Sequence, residues 1–275
     1  MTDPPGPLPG RGSVQATDAG DAPAGAGEPS LVSDAAELAS TVAALFPVSV
    51  GTALGPVDDE PPCPFPAERA VVATATAARR REFLAGRRCA HAALRAIGRD
   101  EGLAVGRGVM REPLWPAGVV GSISHAGGLA GAVTARTADA WGLGLDIELL
   151  EPPLDAALER IVMGSGELPQ PARAHPLEPY RSKIAFSVKE CVHKCLFPRT
   201  RWALDFHDVA VAVDLDATGY EAVVDEGFRL AGRALPPLEG RFAVVGGYVL
   251  AGLWVGPGCP GDRAHGVRRS GPRNR

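Results

Sequence analysis

The sequence predicts an α+β chain of two similar lobes, each an antiparallel sheet packed with a helix. Three observations carry that reading. An Ala- and Arg-rich helical stretch at 67–98 precedes three short strand-like runs. A second helical stretch at about 180–197 precedes three more. Gly-rich or polar turns separate the strands, and Gly246-Gly247 is a hairpin signal.

Ahead of the first helix, residues 1–40 are rich in Pro, Gly, Ala and acids, which predicts a disordered extension. The first lobe is then expected over 41–143 and the second over 144–255. Residues 256–275, with five arginines against one acid, are read as a basic flexible tail. The chain has 275 residues, 45% of them apolar, enough for a sizeable core. A net charge of -4 gives no general case for nucleic acid. No apolar run approaches the roughly 20 residues of a membrane span, and the N-terminus lacks the pattern of a secretory signal. Five cysteines without framework spacing suggest reduced thiols in a cytoplasmic protein.

In the first helix, Phe83, Ala90, Leu94 and Ile97 mark a buried stripe. Arg81, Arg88, Arg95 and Arg99 fall opposite. Arg79 and Arg87 lean toward the two edges of the stripe, and an arginine there needs an anion, either a structural carboxylate or a phosphate. Strands are expected at 119–124, 129–136 and 141–149. The first is made of small residues, Gly121-Ser122-Ile123-Ser124, which let a ligand approach the backbone, and His125 ends it. In the third, Asp146 and Glu148 share a face while Leu145 and Ile147 point to the core. Two carboxylates side by side repel unless a cation or a proton intervenes. Hard oxygen donors at this spacing suit Mg²⁺ or Mn²⁺, and a solvated strand end would carry the same pair.

The second helix contains FSVKECVHK, residues 186–194. Glu190 and Lys194 stand one turn apart. They form either a surface ion pair or a metal ligand and a phosphate-holding ammonium. Cys191 points about 160° away from His193, which argues against zinc. Strands follow near 208–215, 220–230 and 241–255. No P-loop and no dinucleotide fingerprint is present.

In order, the strings RRREFLAGRRCAHAAL (79–94), REPLWP (111–116), GSISHAGG (121–128), GLGLDIE (142–148) and FSVKECVHK (186–194) resemble the 4'-phosphopantetheinyl transferases of the monomeric, two-lobed type. They lean toward the enterobactin-like branch. The resemblance spans about residues 70–255. It implies transfer of 4'-phosphopantetheine from coenzyme A to a serine of an apo acyl or peptidyl carrier protein, with Mg²⁺ or Mn²⁺, at a site between the lobes. By position it implies Asp146, Glu148 and Glu190 as metal ligands, with Glu190 also as base. Lys194 then holds the coenzyme A phosphates, and Glu190, Lys194 and Asp146 form the catalytic set. Arg79, Arg87, His125, Ser124, Lys189 and, more weakly, Arg111 are implied as further coenzyme A contacts. The family often has Tyr where His193 stands. A carrier surface near Arg201-Trp202 is a further expectation. Coenzyme A, carrier proteins and no nucleic acid or membrane are the expected partners of a cytoplasmic monomer. Three other classes fit parts of the pattern: a coenzyme A pyrophosphatase, a non-catalytic coenzyme A-binding regulator, and a scaffold working through its charged tails.

Overall fold

The computed structural model describes residues 31–58, 63–99, 102, 104–164, 167 and 175–259. In chain order the elements are α1 (Leu31–Ala44), β1 (Gly51–Pro56), α2 (Pro66–Val71), α3 (Ala77–Ala96), β2 (Gly106–Arg107), β3 (Pro113–Leu114), β4 (Val119–Ala126), β5 (Leu129–Arg136), β6 (Gly142–Leu149), α4 (Ala156–Val162), α5 (Arg181–Thr200), β7 (Val209–Asp214), β8 (Gly219–Val224), β9 (Arg229–Leu230), β10 (Arg233–Ala234), β11 (Leu238–Val245) and β12 (Tyr248–Val255). The α+β class and the antiparallel sheets are as expected.

Two sheets organise the molecule. One has the order β1-β5-β4 and the other β6-β12-β11-β8-β7, each with antiparallel neighbours. Helix α3 covers the first, burying Ala85, Cys89, Ala90, Ala93 and Leu94 against Ala130 and Ala132. Helix α5 covers the second, burying Ile184, Val188, Val192 and Leu196 against Val211, Tyr220 and Leu253. At about 25 cal/mol per Å² of apolar surface, these two helix faces supply much of the drive to fold.

The ends of the elements follow local chemistry. Thr76 Oγ1 accepts from Arg79 N at 3.3 Å and caps α3, whose first turn would otherwise leave that donor unmet. Gly246 and Gly247 have φ of 58° and 79° and join β11 to β12 in a two-residue turn. Positive φ at both central positions is what such a hairpin requires.

Three expectations are corrected. The expected disorder of residues 31–40 gives way to helix α1, in which Leu38 and Val42 are buried, with Leu45 and Phe46 buried just past its end; residues 1–30 lie outside the described residues. Leu38, Val42 and Leu45 are spaced by four and then three positions, so the segment has an apolar face despite its neighbourhood. The single helix expected over 67–98 is two, broken between Val72 and Thr76. The strand expected over 220–230 ends at Val224, and a separate two-stranded hairpin, β9–β10, follows. The expected flexible tail lies outside the described residues from position 260 on. No helix among the described residues is long and apolar enough to cross a membrane.

Candidate active site

Strands β4 and β6 are both edge strands, each of a different sheet, yet they run side by side. Edge strands present unpaired backbone groups that must be met somehow. Here two serines meet them. Ser122 Oγ donates to the Leu145 carbonyl at 3.3 Å, and Ile147 N donates to Ser124 Oγ at 3.1 Å. The seam between the sheets is therefore closed by side chains instead of a backbone ladder, and polar groups collect along it.

Helix α5 lies over this seam because β6 is smooth where they touch. A Cβ built on Gly142 would come within 3.0 Å of the Cys195 carbonyl oxygen, and one on Gly144 within 2.2 Å of that of Cys191. Two residues of strand rise about 6.6 Å and four of helix about 6 Å, so the contact repeats in step. Positions 142, 144, 146 and 148 of the strand thus follow 195, 191, 187 and 183 of the helix. That register carries Asp146 to Ser187, whose Oγ donates to Oδ2 at 2.7 Å.

Asp146 is the centre of the cluster and is 1% exposed. Besides Ser187, its carboxylate takes a hydrogen bond from Ser124 Oγ at 3.1 Å and one from Lys194 Nζ at 2.5 Å, both on Oδ1. Lys194 Nζ also donates to Ser124 Oγ at 3.0 Å. Burial pulls the Lys194 ammonium down, but Asp146 and Glu190 outweigh it and hold it above its usual range. The other carboxylates move the opposite way. Burial first, then Asp146, pushes Glu148 up to about 7, against Lys194 and Lys183. Burial also raises Glu190, with Lys194 opposing and Asp146 adding to the shift. Three carboxylates share one half-buried place with fewer cations than they need.

The first sheet adds a basic corner. Arg79 Nη1 lies 2.9 Å from His125 Nε2. Arginine only donates, so Nε2 accepts and the proton sits on Nδ1, which is 3.8 Å from Glu82 Oε2. Burial lowers the His125 pKa, so the ring is neutral at pH 7. Arg79 also reaches Glu82 at 3.4 Å. The charges of Lys194 and Asp146 act on His125, which places this corner beside the acids.

The structure thus brings together Asp146, Glu148, Glu190, Lys194, Ser124, His125 and Arg79. Three further expected coenzyme A contacts make their hydrogen bonds outside this cluster or make none with it among the described residues. Lys189 is 2% exposed and its ammonium donates to Glu167 Oε2 at 2.7 Å and to the carbonyls of Val162 and Phe206 at 2.8 and 2.9 Å. It holds the segment before α5 to the helix and has no donor left to offer. Arg87 is 4% exposed, stacks over Phe83, and donates to the carbonyls of Val105 and Gly106 at 2.9 and 3.0 Å. Carbonyl oxygens thus accept from two of its five guanidinium donors. Arg111 is exposed in the β2–β3 turn at φ 72°, and no contact joins it to the cluster among the described residues. Arg201 pairs with the buried Glu112 of that hairpin, whose other oxygen accepts from Met110 N at 3.0 Å. The pair ties the hairpin to the end of α5, beside a cleft of about 340 Å³ lined by Trp115, Trp141, Leu143 and Pro198.

The sequence reading passed over Ser187 and Glu82. Both carried a signal, since Ser187 lies three residues before Glu190 and Glu82 three after Arg79, each on the same helix face.

Among the described residues no three His, Cys, Asp or Glu side chains stand in an arrangement that could hold a metal. The chemistry of the donors nevertheless suits a hard divalent cation. The set is all carboxylate oxygen, burial and mutual repulsion drive two members toward protonation, and an ammonium already fills the cationic role at Asp146.

A family profile described as the 4'-phosphopantetheinyl transferase N-terminal domain matches residues 67–135, from α2 through nearly all of β5. The 4'-phosphopantetheinyl transferase Svp of Streptomyces mobaraensis is 39% identical over 202 residues, 72% of this chain and 81% of the relative. The 4'-phosphopantetheinyl transferase PptT of Mycobacterium tuberculosis is 32% identical over 221 residues, 77% of this chain and 96% of the relative. Enterobactin synthase component D of Salmonella typhi is 36% identical over 149 residues, 51% and 57% of the two chains. With an acid row and a basic corner facing each other across the seam, and with likeness of this extent running through both sheets, the chain belongs to the 4'-phosphopantetheinyl transferases.

Proposed function

We propose that this protein transfers 4'-phosphopantetheine from coenzyme A to a serine of an apo acyl or peptidyl carrier protein, releasing adenosine 3',5'-bisphosphate. The observation that carries the site assignment is Asp146, buried and held by Ser124, Ser187 and Lys194 at the seam of the two sheets. Asp146, Glu148 and Glu190 would hold Mg²⁺. When bound, the ion supplies charge that offsets the diphosphate and orients it.

The chain's own residues do the rest. Lys194 carries a fixed positive charge at the acid row and meets the diphosphate oxygens, where charge develops as the bond to the leaving phosphate breaks. Arg79, oriented by His125 and Glu82, offers its remaining guanidinium donors to the phosphates of the nucleotide end. Glu190 takes the proton of the incoming serine hydroxyl. Burial raises its pKa, which makes it a stronger base than an ordinary carboxylate. We take the lobes as about 41–143 and 144–255, each built on one sheet and its helix, with β6 as the strand at which they meet. Helix α1 packs on β1, β11 and β12 and so on both. Both sheets and the whole cluster come from one chain, which supports a monomer, and coenzyme A as substrate suits a cytoplasmic enzyme.

The test is the intact mass of an apo carrier protein after incubation with this protein, coenzyme A and Mg²⁺. A gain of one phosphopantetheine, lost on adding EDTA, is expected. No gain on acyl, polyketide and peptidyl carriers alike would contradict the proposal.

A further inference from the structure

Helix α5 carries a second lysine on the face that meets β6. Lys183 stands seven residues before Glu190 and four before Ser187, so it continues their stripe. The register that sets Ser187 against Asp146 sets Lys183 against Glu148, one step further along both elements. Lys183 is 9% exposed. Among the described residues no hydrogen bond reaches its ammonium, and the charges acting on it are those of Glu148 and Glu151. Glu151 is itself engaged by the Tyr180 hydroxyl. A lysine whose stem is largely buried and whose ammonium makes no hydrogen bond, with two carboxylates acting on it, calls for an explanation.

We propose that Lys183 is the positioning residue for Glu148, facing that carboxylate across the β6–α5 contact and keeping it turned into the acid row. The row then has a cation at each end, Lys194 beside Asp146 and Lys183 beside Glu148. Glu190 lies between them on the helix. Glu148 ends the buried part of β6, since Leu149 beyond it is 41% exposed, so nothing in the strand itself fixes its side chain. A carboxylate free to swing outward would be lost to a cation held by Asp146 and Glu190. The assignment rests on the proposed role of Glu148 as a metal ligand.

The experiment is a titration with Mn²⁺ alone, followed by electron paramagnetic resonance, on the full chain and on Lys183→Met, Lys183→Arg and Glu148→Gln. Methionine keeps the stem that packs under the site and removes the charge. Lys183→Met is expected to weaken Mn²⁺ binding about tenfold and Lys183→Arg to restore it within about threefold. In transfer assays, kcat should fall for Lys183→Met while KM for coenzyme A stays within about twofold. Pure charge repulsion predicts the opposite sign, because removing a cation near the ion should tighten it. Unchanged or tighter Mn²⁺ binding in Lys183→Met, with weakened binding in Glu148→Gln, would overturn the positioning role alone. Unweakened binding in Glu148→Gln, or no Mn²⁺ bound by the parent, would overturn the role of Glu148 and this inference with it. Should Lys183→Met fail to fold, Lys183→Gln against Lys183→Arg makes the same comparison.

Discussion

Helices α3 and α5 are each twenty residues long, each covers an antiparallel sheet, and each buries charge. They differ in what that charge meets. On α3, Arg87 finds two backbone carbonyls and an aromatic ring. On α5 the same helix does both things. Lys189 is enclosed by a carboxylate and two carbonyls, while Lys194, five residues on, faces three carboxylates that lack enough cations. A buried charge with all its partners holds the fold together. A cluster with a deficit is a place prepared for a ligand.

That contrast can be broken by substitution. The largest expected effect is at the deficit. Glu190→Gln or Lys194→Met should lower transfer by about 10³-fold or more while the far-ultraviolet circular dichroism stays that of the parent. Near-parental transfer in either variant would mean that the acid row is not the reacting centre.

Next comes the closed cage. Lys189→Met leaves Glu167, 9% exposed at its side chain, without its cation. Breaking such a pair costs about 3–5 kcal/mol, a fall in Tm on the order of 10 °C. The folded fraction should keep its KM for coenzyme A. A selective rise in that KM at unchanged Tm would return Lys189 to the site.

Glu148 gives a smaller effect of unusual sign. Its folded pKa, about 7, exceeds the ordinary 4.5. Between those pH values the folded chain holds a proton that the unfolded chain has lost, so stability falls as pH rises through that window. Glu148→Gln removes this loss. Without ligands the variant should match the parent near pH 4 and exceed it at pH 8 by on the order of 1–2 kcal/mol, a Tm gain of several degrees. Transfer by the parent should fall as pH drops through about 7, as Glu148 takes up a proton. A Tm gain that is the same at pH 4 and pH 8 would contradict this.

The smallest contrast lies on α3. Arg79→Ala should raise KM for coenzyme A about tenfold, and Arg87→Met should leave it within about twofold while lowering Tm. Equal effects on KM would show that Arg87 also reaches the ligand.

Much of this was legible in the sequence, for physical reasons. Period-two alternation gave Asp146 and Glu148 one face, with Leu145 and Ile147 buried behind them at 0% exposure. Helical spacing put Glu190 and Lys194 together. Lys189 was placed with the coenzyme A contacts by its motif alone, although helical spacing projects it about 100° from Glu190 and 140° from Lys194. Arg87 leans inward by its spacing, but its acceptors lie 18 and 19 residues away at the start of β2, and no local pattern reports that. Helix α1 escaped notice because the Pro- and Gly-rich composition before it masked the recurrence of Leu31, Leu38, Val42 and Leu45. The seam between β4 and β6 depends on two serine hydroxyls replacing a backbone ladder, which only the tertiary structure reveals.

The most direct measurement follows an apo carrier protein by intact mass with Mg²⁺, coenzyme A and equal folded amounts of the parent, Lys189→Met and Lys194→Met. The parent and Lys189→Met should load phosphopantetheine at similar initial rates, and Lys194→Met should load almost none. Equal loss in both variants, or loss in Lys189→Met alone, would contradict the claim that the deficit of partners, not burial of charge, marks the active site.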